Sequence, residues 1–180
     1  MSGETQILKI GDLGNVITGK TPSSSNPEHF GQKVPFVTPT DFGSYSKNVF
    51  NSSRFLSESG VQAIGKRLLP KDSILVSCIG SDMGKVVMNK VRCATNQQIN
   101  TIIPNPKVID PDFLYYKMVS LYTLLKNMAT GGSTMPIVNK TDFENIEIEC
   151  PPLPIQRRIA AILTALDDKI ELNRRMNATL

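Results

Sequence analysis

Pro151-Pro-Leu-Pro-Ile-Gln-Arg-Arg-Ile-Ala-Ala-Ile-Leu-Thr-Ala-Leu-Asp-Asp-Lys-Ile-Glu-Leu-Asn-Arg-Arg-Met-Asn-Ala-Thr-Leu180 is the stretch that orders the rest of the chain. From Ile155 onward it holds neither Pro nor Gly. Ile159, Leu163, Leu166, Ile170 and Leu180 recur in steps of three and four, with Asn173 and Asn177 in the two places where the series would continue. That spacing predicts one amphipathic helix with a narrow, heptad-like seam and a polar end. Pro154 suits its first turn, where a missing N–H has no partner to lose. Glu171 stands before Arg174 and Arg175 in the favourable order for helix ion pairs. The helix would be about 39 Å long, too long and too narrowly striped to serve only as a lid on its own domain. The seam Ile159, Leu163, Leu166, Ile170 and Asn173 is therefore expected to pair with a second helix, from another copy or from a longer chain. A buried Asn specifies register at a cost in stability. The pattern stops at Leu180 without a Gly or Asn beyond it.

Working back, residues 1–150 have the content of one domain and residues 151–180 that of an appended helix. With 40% hydrophobic residues the chain can build a core. It has no apolar run long enough to span a membrane, and Met1–Ile10 has no signal-peptide centre. Cys78, Cys93 and Cys150 are odd in number and widely spaced, as expected of reduced thiols in a cytoplasmic protein. Short β-rich runs recur at Gln6–Ile10, Val34–Thr38, Ser73–Ile79, Lys85–Met88 and Ile99–Ile103, separated by Gly, Pro, Ser and Asn clusters. A short helix is expected at Glu58–Gly65. A longer one is expected from Pro111 to Ala129, capped by Asp110, with Leu114, Met118, Leu121, Leu125 and Met128 facing the core. Ile146 and Ile148 alternate with Glu147 and Glu149, as in a half-exposed edge strand. The fold class is α+β, a compact domain with a twisted sheet and flanking helices followed by a projecting C-terminal helix.

The formal net charge is only +4, but it is unevenly spread. From Ile17 to Thr101 ten Lys and Arg face five acids, an excess of +5, whereas Asp110–Glu149 holds six acids against three Lys. A basic lobe beside an acidic one suits a polyanion bound on one side. Two polar loops, Gly19-Lys-Thr-Pro-Ser-Ser-Ser-Asn-Pro27 and Thr130-Gly-Gly-Ser-Thr134, offer hydroxyls, backbone N–H groups and nearby Lys20 and Lys140. Such groups hold phosphates and base edges, and Lys20, Thr21, Lys85, Ser133, Thr134 and Lys140 are candidates to do so. Asn96, Gln97 and Gln98 are placed either to read adenine edges or to tie down a turn before a strand.

Catalytic signals are weak. Gly14-Asn-Val-Ile-Thr-Gly-Lys-Thr21 matches the phosphate-loop pattern, but Pro22, three serines, Asn26 and Pro27 leave no helix to present its N-terminus to a phosphate. There is one His, no metal-ligand spacing among the cysteines and no nucleophile elbow. The residues describe a binding module with no metal or cofactor of its own, not an enzyme.

The ordered set of motifs resembles one family. Pro-Pro-Leu-Pro-Ile-Gln-Arg-Arg-Ile-Ala-Ala-Ile-Leu163 and Leu166-Asp-Asp-Lys-Ile-Glu-Leu-Asn-Arg-Arg175 resemble the conserved-region helix of type I restriction–modification specificity subunits. Ile10-Gly-Asp-Leu, Gly19-Lys-Thr-Pro, Pro35-Phe-Val-Thr-Pro-Thr-Asp-Phe42, Leu69-Pro-Lys-Asp-Ser-Ile-Leu-Val-Ser77, Gly84-Lys-Val, Asn96-Gln-Gln-Ile99, Asp112-Phe-Leu-Tyr-Tyr116 and Thr130-Gly-Gly-Ser-Thr134 resemble the target recognition domain ahead of it. The resemblance implies a subunit that reads one half of a split double-stranded DNA target. It further implies that the subunit has no catalysis of its own and pairs its helix with a second one. Modification and restriction subunits would then supply S-adenosylmethionine-, ATP- and Mg-dependent chemistry. With one domain and one helix, the chain would be half of such a subunit. The competing expectation is an assembly protein that keeps the helix but not base readout.

Overall fold

In a computed structural model, the structure describes residues 4–43, 46–128 and 137–179. The elements in chain order are β1 (Gln6–Lys9), β2 (Gly14–Thr18), β3 (Phe30–Val37), β4 (Asn48–Val49), β5 (Phe55–Leu56), α1 (Glu58–Ile64), β6 (Ile74–Ser77) and β7 (Val86–Asn89). They continue with β8 (Ala94–Thr95), β9 (Ile99–Pro104), α2 (Pro111–Ser120), α3 (Tyr122–Met128), α4 (Lys140–Glu144), β10 (Glu147–Cys150) and α5 (Leu153–Thr179). This is the expected α+β arrangement ending in a long helix.

The central sheet has the order β2-β9-β6-β7-β4, antiparallel except for the β4–β7 pair. It is buried on both faces, so its strands carry unbroken apolar runs. Alternation along the pleat sorts them. Ile74, Val76, Val86, Met88 and Ile102 face the larger core with Phe113, Leu114, Met118 and Phe143. Leu75, Val87 and Ile99 face the smaller core with Val37, Phe42, Leu69 and Cys93. A second sheet, β5-β3-β8, packs with α1 around Phe36, Leu56, Ile64 and Ala94. β1 and β10 form a separate antiparallel ladder in which Gln6 faces Cys150.

Two expectations about elements change. The helix predicted as one piece over Pro111–Ala129 breaks at Leu121, whose ψ of 6° leaves the helical region. Ser120 Oγ donates to the Lys117 carbonyl at 2.7 Å, giving the backbone there an alternative to the next helical turn. Met128, placed on the core face by periodicity, is exposed, whereas Leu114, Met118 and Leu125 are buried. The phosphate-loop match also resolves: Gly14–Thr18 is itself the edge strand β2, paired along Asn100–Pro104 of β9. Its glycine is there for close packing, since a Cβ on Gly14 would lie 2.0 Å from the Ile103 carbonyl oxygen.

The caps behave as the residue types dictate. Asp110 accepts from the Phe113 N–H at the start of α2, and Ser57 accepts from the Gly60 N–H at the start of α1. Gly65, at a φ of +63°, ends α1.

Candidate nucleic-acid interface

The loop after β2 and the turn before β9 lie against each other. The Gly19 N–H donates to the Ile99 carbonyl at 3.1 Å and the Lys20 N–H to the Thr95 carbonyl at 2.9 Å. The approach needs a glycine, because a Cβ on Gly19 would lie 2.1 Å from the Asn96 carbonyl oxygen. Asn96 is buried and uses both ends of its amide in the turn. It donates to Gln98 Oε1 at 2.8 Å and accepts from the Gln98 N–H at 3.1 Å. Gln97 is exposed at the apex, with Oε1 accepting from the Thr21 hydroxyl at 2.7 Å. The Cys78 N–H donates to the Gln98 carbonyl at 2.8 Å and the Val138 N–H to the Cys78 carbonyl at 2.9 Å, so the segment entering α4 joins the same sheet end. Ser133 and Thr134, with the rest of Thr130–Thr134, lie outside the described residues.

Cations gather beside this turn. Lys20 Nζ donates to the Ala63 carbonyl at 3.2 Å, in the last turn of α1, where the helix dipole favours positive charge. Lys66 and Arg67 follow directly, and Arg67 Nη1 donates to the Ile64 carbonyl at 3.3 Å. Three cations from two distant segments therefore meet at one helix end, and none has a carboxylate partner among the described residues. Arg54 also lacks one there, its guanidinium lying 4.3 Å from the Phe30 ring centre and 5.6 Å from that of Phe36. By contrast Lys33, Lys85, Lys90 and Lys140 are paired with Glu58, Asp82, Asp72 and Glu144. Of the residues singled out in the sequence, the fold thus brings together Lys20, Thr21, Asn96, Gln97 and Gln98. It places Lys140 on α4, and Lys85 on the wall of a cleft of about 810 Å³ between the central sheet, α2, α3 and the outer part of α5. Lys66, Arg67 and Arg54 were counted in the charge but not singled out. The signal for the first two was a glycine followed by two basic residues, the pattern of a helix C-terminus.

The seam helix has two working faces. Gln156 and Ala160 are buried, and Thr164, Asp167 and Glu171 are half-buried along the face set against the domain. About 120° around the helix, Ile155, Ile159, Ile162, Leu166, Ile170 and Met176 form an exposed apolar stripe. Leu163 is half-buried and lies between the two faces, so Ile155 and Ile162 replace it in the stripe. Asn173 is exposed on the stripe side.

The domain-side contacts are mostly polar. Gln156 Oε1 accepts from the Asp110 N–H at 2.8 Å, and its Nε2 donates to the carbonyls of Pro151 at 2.8 Å and Val108 at 3.3 Å. Farther along, Tyr116 donates to Asp167 at 2.7 Å, and Lys47 Nζ reaches Asp112 at 2.7 Å and Thr164 at 2.9 Å. Burial pushes the Tyr116 hydroxyl well above its usual range, and the neighbouring Asp167 carboxylate pushes the same way.

The sequence profile of the "Type I restriction modification DNA specificity domain" matches residues 3–180. The chain belongs to this family. It is 33% identical over 177 residues to the MjaIX specificity subunit of Methanocaldococcus jannaschii, covering 97% of this chain and 40% of that protein. It is 37% identical over 178 residues to the HindI specificity subunit of Haemophilus influenzae, covering 94% and 38%. The chain thus spans about two-fifths of the length of these curated relatives. The HsdS subunit of Thermoanaerobacter tengcongensis has the same fold, with a TM-score of 0.72 and 19% identity over 98% of this chain and 40% of that one.

Within this type I specificity domain, no group of three or more His, Cys, Asp and Glu side chains is arranged to hold a metal ion among the described residues. Cys78 and Cys93 are held neutral, their thiols pushed up to about 12 by burial, which is opposite to what a nucleophile needs. No helix among the described residues is long and apolar enough to cross a membrane.

Proposed function

We propose that this chain is the DNA sequence-recognition part of a type I restriction–modification complex. In this reading residues 1–150 read one half of a two-part target, and residues 151–180 pair with a second helix and assemble modification and restriction subunits. The chain itself contributes recognition and no catalysis. S-adenosylmethionine, ATP and Mg2+ are used by the partner subunits, in the cytoplasm where the DNA lies. The observation that carries this reading is the convergence of Lys20, Lys66 and Arg67 on one helix end, beside the exposed Gln97. Cations without carboxylate partners give sequence-independent hold on phosphates, and glutamine amides match the donor–acceptor edge of adenine. The exposed stripe of α5 supports helix pairing, since burying each Ile or Leu contributes roughly 1.5–3 kcal/mol.

The decisive experiment co-expresses the chain with a modification subunit and maps methylated DNA. A defined motif that changes with Gln97→Ala, with overall affinity retained, is the expected result. Lys20→Ala together with Lys66→Ala should lower affinity for all sequences alike and reduce the salt slope by about two units. Unchanged affinity and slope in that pair would remove the proposed phosphate surface. Methylation without sequence preference would favour the assembly-only reading.

A further inference from the structure

We propose that Lys47 is a positioning residue: held among Asp112, Tyr116 and Thr164, it fixes the angle at which α5 leaves the domain, and through that angle the spacing at which two domains read DNA. The inference rests on the half-site reading above but is carried by different residues.

Lys47 is 8% exposed, unusual for a lysine. Its ammonium has three donors and three partners: Asp112 at 2.7 Å, Thr164 at 2.9 Å and the Tyr116 hydroxyl at 3.3 Å. It also lies 4.5 Å from the Tyr116 ring centre and 5.3 Å from that of Tyr115. Tyr116 passes the link on to Asp167. One cation from the segment before β4 thereby ties α2 to the middle of α5.

The other buried polar anchor, Gln156, holds α5 at its root, close to the pivot, where it has little leverage on the tilt. Ala160 is the only buried apolar residue of α5 among the described residues, and a methyl group offers little shape to lock. Apolar contacts tolerate sliding, whereas a buried charge whose hydrogen bonds are all met has one favourable arrangement. Beyond Asp167 the helix borders the open cleft, which leaves room to tilt. Ala160 to Thr179 is a lever of about 29 Å. A tilt of roughly 10° about Ala160 would move its end by about 5 Å, more than one base-pair step of about 3.4 Å.

The test has two arms. Spin labels at Lys66→Cys and Asn177→Cys, diluted with unlabelled chain, report the angle without any DNA. Cys78, Cys93 and Cys150 are buried, so labelling stays at the new sites. In the Lys47→Met background the distance distribution should widen and shift, with the melting transition still cooperative. In the second arm, the chain assembled with modification subunits is offered targets that differ only in spacer length. The preference for the best spacer over its neighbours should fall by about tenfold, because ångström-scale placement governs such rates, while binding to a single half-site stays constant. Thr164→Val with Asp167→Asn loosens the same clamp from the helix side and carries the test if Lys47→Met does not fold. A distance distribution as narrow as wild type in a folded variant would overturn the proposal, as would a widened distribution with an unchanged spacer profile. A wild-type complex with no spacer preference at all would instead defeat the half-site reading and leave the angular result standing.

Discussion

Replacing Gln156 by Ala should detach the root of α5 from the domain. Gln156 is 1% exposed and serves three main-chain groups: the Asp110 N–H, at the residue that caps α2, and the carbonyls of Pro151 and Val108. The alanine variant leaves one donor and two acceptors without a partner beside the core residues Ile109, Phe113 and Ala160. An orphaned buried polar group costs about 1–3 kcal/mol. The two carbonyls share one amide, and partial wetting will relieve part of the loss, so the net destabilisation should be about 2–4 kcal/mol. For a chain of this size that is a fall in Tm of roughly 10 °C. Urea unfolding followed by circular dichroism measures it, with the m-value unchanged if the folded state stays compact. Gln156→Glu sharpens the test. Its carboxylate can still accept from the Asp110 N–H but faces two carbonyl oxygens, so it should be destabilising at neutral pH and recover as acid protonates it. A loss below about 0.5 kcal/mol for Gln156→Ala, the range of ordinary surface changes, would refute the idea that this amide anchors the helix.

Gly19→Ala should push the loop after β2 off the turn at Asn96, because the added methyl would overlap a main-chain carbonyl. Weakened DNA binding together with a lower Tm is expected, and amide exchange at Lys20 and Ile99 should rise. Ile162→Glu with Leu166→Glu should abolish any helix pairing seen by sedimentation, while circular dichroism and Tm stay close to wild type, since both residues are exposed on the isolated chain. Stability should also fall in alkali. The thiols of Cys78 and Cys93 ionise near 9.0 when free but only near about 12 in the fold. Above pH 9 the unfolded chain therefore holds fewer protons, and the contribution, intact below pH 9, is lost as pH rises toward 12. Urea titrations at pH 8 and 10.5 check this, and a Cys78→Ala, Cys93→Ala variant should lose the corresponding part of the slope.

Much of the fold could be read from local pattern. Ile74–Ser77, Val86–Asn89 and Ile99–Pro104 announced themselves as apolar runs between turns, and Asp110-Pro111 marked the start of α2. What could not be read depends on partners distant in sequence. β4, β5 and β8 are two residues long and exist only because β7 and β3 run beside them. The periodicity of α5 revealed a helix and its apolar seam, but not its rotational setting. That is fixed by Gln156, Ala160 and Thr164 meeting α2, and it turns Leu163 partly inward in favour of Ile162. For the candidate interface, charge counting pointed only to a basic segment of sequence. Only the fold separates cations tied to carboxylates, such as Lys85, from Lys20, Lys66 and Arg67. Lys47 was beyond reach altogether, because no local signal distinguishes a lysine that will be enclosed by two tyrosines and a helix from one that points at water.

The β1–β10 ladder has a consequence for how such domains are inherited. Gln6 and Cys150 are cross-strand neighbours, so the polypeptide enters and leaves the domain at one doorway about 5 Å wide. A helix joined ahead of β1 would emerge beside the root of α5 whatever residues the domain held in between. Recombination that exchanges everything between the two strands would leave the frame of any joined helices where it was. Whatever lies between the two strands can therefore change wholesale without disturbing what is joined at either end of the ladder.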